Sequence, residues 1–103
     1  MKEMIMSNSI KLMEVFNGSQ GVAKTYSLRE IYINPQHVIC LRAEPALETM
    51  LQEGRLIDGL DKRQKFTRVS VSNNAYEEEI LVIGSIDEVH KKLNTEAKNL
   101  LRG

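Results

Sequence analysis

The sequence offers one pairing of a nucleophile with a base, His37 and Cys40. A cysteine thiolate beside an imidazole can carry out covalent catalysis. These two residues stand three positions apart in a segment of strand-forming residues, and such positions on a strand point to opposite faces. The side chains are therefore not expected to meet. Cys40, between Ile39 and Leu41, is better interpreted as a small buried hydrophobic residue.

The remaining candidates for chemistry are a second histidine and a run of carboxylates. His90 has no histidine or cysteine near it at a spacing typical of a metal site. Glu77, Glu78 and Glu79 precede an apolar run, where charge guards against aggregation. A general acid–base pair would need a second carboxylate across a cleft, which the sequence does not locate. These patterns predict neither catalysis nor a cofactor or metal site.

Basic residues are concentrated in one segment, in which the cations are Lys62, Arg63, Lys65 and Arg68. Phe66 offers a ring on which a base of single-stranded nucleic acid could stack. Asp58 and Asp61 lie just upstream, however, and 14 basic residues balance 14 acidic ones. No overall field then draws the chain to nucleic acid. A solvated loop is the preferred interpretation, and nucleic-acid contact is the alternative.

Length and composition predict one small globular domain over residues 1–103. The single cysteine excludes an internal disulfide and, with a start that lacks a secretory signal, predicts a reducing, cytoplasmic location. No apolar run approaches the ~20 residues that span a membrane. Residues 1–8 are expected to form a mobile tip.

Hydrophobic periodicity predicts the strands and helices that position these residues. It indicates an α+β fold with about five antiparallel strands. The predicted strands cover residues 10–16, 25–33, 37–41, 66–72 and 77–83. The second and third are separated only by a short polar turn at Asn34 and Pro35, which favours an antiparallel pair of neighbours. A barrel-like closure and an open sheet both agree with the pattern.

Two helices complete the predicted fold. Pro45 suits the first turn of a short middle helix, and Gly54 suits its end. Residues 54–65 then form a charged connecting loop. Ser85 and Glu88 have the spacing of a capping box, in which each side chain bonds the other residue's amide. They begin a closing C-terminal helix with an apolar stripe of Ile86, Val89, Leu93, Ala97 and Leu100.

The predicted fifth strand ends in an unbroken apolar run made of Ile80, Leu81, Val82 and Ile83. Such a run indicates cover on both faces, which is typical of a central strand or of a strand at an interface. These four residues are therefore the candidate surface for self-association.

Several of these segments together carry a resemblance to a known family. They are Phe66 to Asn73, Ile80 to Ile83, Asp87-Glu88-Val89, and Ile31 to Pro35 followed by Val38-Ile39. This part of the chain resembles the FlbD family of small flagellar regulatory proteins, from which it departs by an insertion from Ala43 to Lys65. The resemblance implies a non-catalytic regulatory protein that acts through a partner, and it assigns no functional residue.

These observations predict a small, non-enzymatic protein-interaction or regulatory module that forms a homo-oligomer. A net charge of zero leaves self-association unopposed by electrostatic repulsion. The alternative is a nucleic-acid-binding accessory protein that uses the basic segment at 62–68.

Overall fold

A computed structural model describes residues 9–18, 25–72 and 75–102, with side chains as far as residue 94. The predicted mobile tip at 1–8 lies outside these residues. The strands are β1 (Ile10–Asn17), β2 (Tyr26–Ile33), β3 (Val38–Ala43), β4 (Phe66–Ser72) and β5 (Glu77–Ile83), and the helices are α1 (Pro45–Gln52) and α2 (Ile86–Arg102). A single 3-10 turn, Pro35–His37, precedes β3. The predicted α+β class is confirmed.

The five strands form one antiparallel sheet in the order β2-β1-β5-β4-β3. β1 pairs with β2 along its whole length, and β4 pairs with β5 in the same way. β1 and β5, by contrast, are joined only where Glu14 lies opposite Val82. β2 and β3 are the two edges, so the sheet is open and a barrel-like closure is not supported.

The predicted pairing of β2 with β3 is wrong, because these strands lie at opposite edges of the sheet. Only residues 34–37 connect them. Four strand spacings would put the edges of a flat sheet ~19 Å apart. The five Cα–Cα steps from Ile33 to Val38 reach at most ~18 Å when fully extended, and the 3-10 turn shortens this reach. The sheet must therefore curl.

The residues that end β2 build this turn instead of a hairpin. The Asn34 side-chain oxygen accepts a hydrogen bond from the Gln36 amide at 2.9 Å, and Pro35 occupies the first turn position. The curl brings Ile31 and Ile33 of β2 into the same apolar cluster as Val38 of β3. A short polar connection between two strands thus joins the two edges of one curved sheet.

Both faces of the sheet are covered, and β5 contributes to each. Val82 packs into the cluster under α2, whereas Leu81 packs into the cluster under α1. The buried members of the first cluster are Ile10, Leu12, Ile33, Val69, Ile80, Val82, Val89 and Leu93. Those of the second are Val15, Leu47, Leu51 and Phe66. The apolar run of β5 therefore belongs to a central strand with cover on both sides.

The charged connection at 54–65 is tied to the second cluster by three apolar residues, Leu56, Ile57 and Leu60. Helix α1 ends as predicted at Gly54, which has φ 76°. The Gly54 amide donates to the Leu51 carbonyl at 3.1 Å, and the Arg55 amide donates to the Met50 carbonyl at 2.8 Å. These two bonds form a Schellman motif, which satisfies the last carbonyls of the helix.

Helix α2 begins with the predicted capping box. The Ser85 amide donates to the Glu88 carboxylate at 2.8 Å, and the Glu88 amide donates to the Ser85 hydroxyl at 3.1 Å. Within its stripe, Val89 and Leu93 are buried against the sheet. Ala97 and Leu100 lie beyond the described side chains.

A buried polar contact joins β4 to the start of α2. The Thr67 hydroxyl, which is fully buried, donates to the Gly84 carbonyl at 2.8 Å. Gly84 has φ 123°, and a Cβ there would lie 3.2 Å from Val89. This hydrogen bond holds the turn between β5 and α2 against β4.

Replacing Thr67 with valine should destabilise the protein by about 1–2 kcal/mol. The two side chains have nearly the same shape, so the loss isolates the hydrogen bond to Gly84. Urea unfolding measured by circular dichroism would give the difference. The matched control is Thr49→Val on the exposed side of α1, which should change the free energy of unfolding by less than about 0.5 kcal/mol. Equal effects at both positions would contradict the prediction.

Candidate functional site

The first cation of the predicted basic segment, Lys62, lies at the end of helix α1. Its ammonium group is 3.3 Å from the Leu51 carbonyl oxygen and 3.4 Å from that of Gln52. A cation at this end of a helix is favoured by the helix dipole and by the unpaired carbonyls. Lys62 therefore closes α1 and holds the connection at 54–65 against it.

Arg63 and Lys65 each contact a carboxylate. The Arg63 guanidinium lies 3.0 Å from Asp61, and the Lys65 ammonium lies 3.1 Å from Glu48. The side-chain hydrogen bond from Arg63, followed by the bond from its amide, lowers the pKa of the Asp61 carboxyl. The same side-chain bond raises the pKa of Arg63. These pairs are exposed, so solvent screens them and they add little to stability.

Arg68 joins two carboxylates from different elements. Its guanidinium lies 2.6 Å from Glu79 on β5 and 2.7 Å from Glu44, which precedes α1. The bond to Glu79 and then the bond to Glu44 raise the pKa of Arg68 above its usual value. Arg68 therefore stays charged throughout the neutral range. Arg42 lies directly opposite Arg68 and is exposed.

The four predicted contact residues for nucleic acid, Lys62, Arg63, Lys65 and Arg68, are thus engaged within the chain. One bonds backbone carbonyls and three bond carboxylates. Nucleic-acid contact through them stays a prediction, and it would have to compete with these partners.

The predicted self-association residues lie at the centre of the sheet. Ile80 and Val82 are buried in the cluster under α2, whereas Leu81 and Ile83 are half-buried on the other face. β5 is hydrogen-bonded to β1 on one side and to β4 on the other. Self-association through these four residues stays a prediction.

An apolar groove of about 610 Å³ lies between β3 and α2. Its lining is Pro35, Gln36, Val38, Ile39, Cys40, Leu41, Ile86, His90, Leu93 and Asn94. His90 and Asn94, one helical turn apart, are joined by a hydrogen bond of 3.0 Å between the ring nitrogen and the amide. The groove therefore combines an apolar lining with two polar groups on one rim, a composition typical of binding sites.

The other rim of the groove is the edge of the sheet. β3 pairs with β4 alone among the described strands, so the outer edge of β3 has no strand partner. Val38 lies opposite Val71 and Cys40 lies opposite Ser70, which leaves Ile39 as the extra residue of a bulge. Ile39 is 54% exposed. An apolar residue thus projects where the strand offers unpaired backbone groups.

The cysteine is less buried than the sequence predicts. Cys40 is half-buried, because it lies on this edge strand and not in the middle of the sheet. His37 belongs to the 3-10 turn before β3. His90 borders the groove.

Sequence reasoning missed the groove because it treated β3 as the neighbour of β2. A signal was present in the prolines on either side of the strand, Pro35 and Pro45. Prolines are tolerated next to edge strands, where no ladder bond is lost. The sequence could not show that Ile86 lines the groove, because this depends on the direction in which α2 crosses the sheet.

Comparison with known proteins assigns no family. No protein-family model matches the chain, and no curated protein matches it significantly. The resemblance to the FlbD family therefore stays a prediction. In the described ranges, no three His, Cys, Asp or Glu side chains are grouped to hold a metal ion. Among the described helices, none has the length and apolar character needed to cross a membrane.

Replacing Arg68 with leucine should cost about 1 kcal/mol of stability. The change leaves the Glu44 carboxylate, which is only 13% exposed, without its cation. Arg42→Leu is the matched control, because it removes the same charge from the opposite position on β3. Urea unfolding should show little loss for that control, since Arg42 is exposed and makes no ion pair with the carboxylates of the described residues. Equal losses would show that the carboxylate contacts do not matter.

Replacing both Arg63 and Lys65 with alanine should leave oligonucleotide binding unchanged, because both cations are already paired. Fluorescence anisotropy with a mixed single-stranded pool, at low and moderate salt, measures this. The control is Lys91→Ala with Lys92→Ala on exposed positions of α2, which removes the same charge. Salt-sensitive binding that weakens only in the first variant would favour the nucleic-acid alternative.

Proposed function

We propose that this protein is a small, non-enzymatic interaction module that self-associates, and that it binds through the groove and the adjoining edge of β3. The observation that carries the proposal is an unpaired apolar edge strand beside an apolar groove. Exposed strand edges present N–H and C=O groups that pair readily with another chain. An adjacent groove adds pockets for side chains, which give such pairing its specificity.

The two edges of the sheet differ in chemistry. β2 carries Arg29 and Glu30, which form ion pairs with Glu14 and Lys11 of the neighbouring strand. Charged side chains of this kind are how natural edge strands resist further pairing. β3 has no charged residue from Val38 to Leu41. The bulge at Ile39 and the flanking prolines limit pairing at β3, so the proposal depends on the uncharged run Val38–Leu41 and on the groove beside it.

A regulatory role without catalysis agrees with the position of His37 and Cys40, since His37 belongs to the 3-10 turn and Cys40 to β3. The resemblance to the FlbD family supports a regulatory role, and the single cysteine supports a reducing, cytoplasmic location.

Light scattering coupled to size exclusion should give a molar mass at least twice the 11.7 kDa of the chain. The mass should rise with protein concentration and persist at moderate salt, because the proposed surface is apolar. A strict monomer at several hundred micromolar would refute self-association. A mass shift that requires an oligonucleotide pool and low salt would support nucleic-acid binding instead.

A further inference from the structure

We infer that the groove between β3 and α2 is covered by the segment of this chain that precedes β1, residues 1–8. These residues lie outside the described ones, and the sequence predicts a mobile tip for them. The groove gives this tip an apolar surface to bind. The inference goes beyond the proposed function, because it needs no second chain and identifies what competes for the groove.

The point at which the segment joins the sheet is close to one end of the groove. Ile10, the first residue of β1, pairs with Ile33, the last residue of β2. Pro35, which lines the groove, follows two positions after Ile33. Paired strands lie about 5 Å apart and two residues of chain span at most ~7 Å, so Ile10 lies within about 12 Å of the lining. Ile10 also belongs to the same apolar cluster as Leu93, another lining residue.

The segment is long enough to enter the groove. Met6 stands four positions before Ile10 and Met4 stands six, so an extended chain carries them up to about 13 and 20 Å from the start of β1. The tether favours this occupant over a second copy. A short flexible linker holds its two ends at an effective concentration in the millimolar range, which a second copy would have to reach in free solution.

The side chains of the segment suit an apolar groove. Met4, Ile5 and Met6 are apolar, whereas the linker from Ser7 to Ser9 is polar. Methionine is unbranched and polarizable, so it fills irregular apolar surfaces well. In an extended segment Met4 and Met6 point to the same side, so both side chains can enter the groove together.

Docking of this kind needs no strand pairing with β3. The bulge at Ile39 and the 3-10 turn before the strand limit the ladder bonds that its outer edge can make. Side chains held in a groove do not depend on a register of backbone hydrogen bonds. Ile39 lines the groove and is more than half exposed, so cover by the segment removes apolar surface from water.

The rate at which a thiol reagent modifies Cys40 reports whether the groove is covered. Cys40 lines the groove and is the single cysteine of the chain, so the signal has one source. The combined change Met4→Ser, Ile5→Ser and Met6→Ser should raise this rate about fivefold or more, because the apolar side chains that hold the segment in place are lost. Absorbance of the thiolate released from an aromatic disulfide reagent measures the rate.

The matched control is Lys2→Ser with Glu3→Ser, which changes polar residues of the same segment and should leave the rate unchanged. Circular dichroism shows that both variants fold. Equal rates in the wild type and in the variant without apolar residues would overturn the inference. If those equal rates also fall as the protein concentration rises, the groove is covered by a second copy instead.

A disulfide tests directly whether the segment reaches the groove. Met6→Cys should form an intramolecular disulfide with Cys40 in a glutathione redox buffer, since such a bond requires Cα atoms within about 7 Å of each other. Mass spectrometry of the monomer measures its yield. The control is Ser27→Cys, an exposed position at the opposite end of β2 from Ile33. Equal yields from the two variants would contradict the inference.

The inference and the proposed function fail separately. A chain that stays monomeric at every concentration, but whose Cys40 is protected by residues 4–6, would refute self-association and support the inference. A chain that self-associates while residues 4–6 leave the reactivity of Cys40 unchanged would support the proposed function and refute the inference.

Discussion

The constraint on which the rest of the structure depends is the length of chain between β2 and β3. These strands form opposite edges of a five-stranded sheet, yet only residues 34–37 connect them. The sheet has to curl until its edges can be bridged. The curl encloses one apolar cluster, and α2 covers the side of this cluster that the sheet leaves open. It also leaves the outer edge of β3 beside the flank of α2, where the groove forms.

The opposite face of the sheet is held by a different set of interactions. There α1 and the connection at 54–65 cover Phe66 and Val15 with apolar residues. Charged residues attach this layer at its margins. Lys62 bonds the end of α1, and Arg68 links Glu44 to Glu79. A segment whose sequence suggests a solvated basic loop therefore acts as part of the cover. Charge in this protein serves mainly to attach one element to another.

The local features of the fold were predictable, and the long-range ones were not. The alternation of β4 and the apolar end of β5 gave the bounds of both strands, and the residues at Gly54 and Ser85 gave a helix end and a helix start. Each of these signals lies within a few neighbouring residues. Strand order does not, because it depends on which distant strands pair. The misplacement of β3 concealed both the groove and the partial exposure of Cys40.

The narrow junction between β1 and β5 has a consequence for how the chain folds. The ladder contact between Glu14 and Val82 joins two units, the β1–β2 hairpin and the β3–β4–β5 sheet, which also share the apolar cluster under α2. Pairing that is so distant in sequence closes a large loop and is slow to form. We therefore expect the two units to form separately and to dock late.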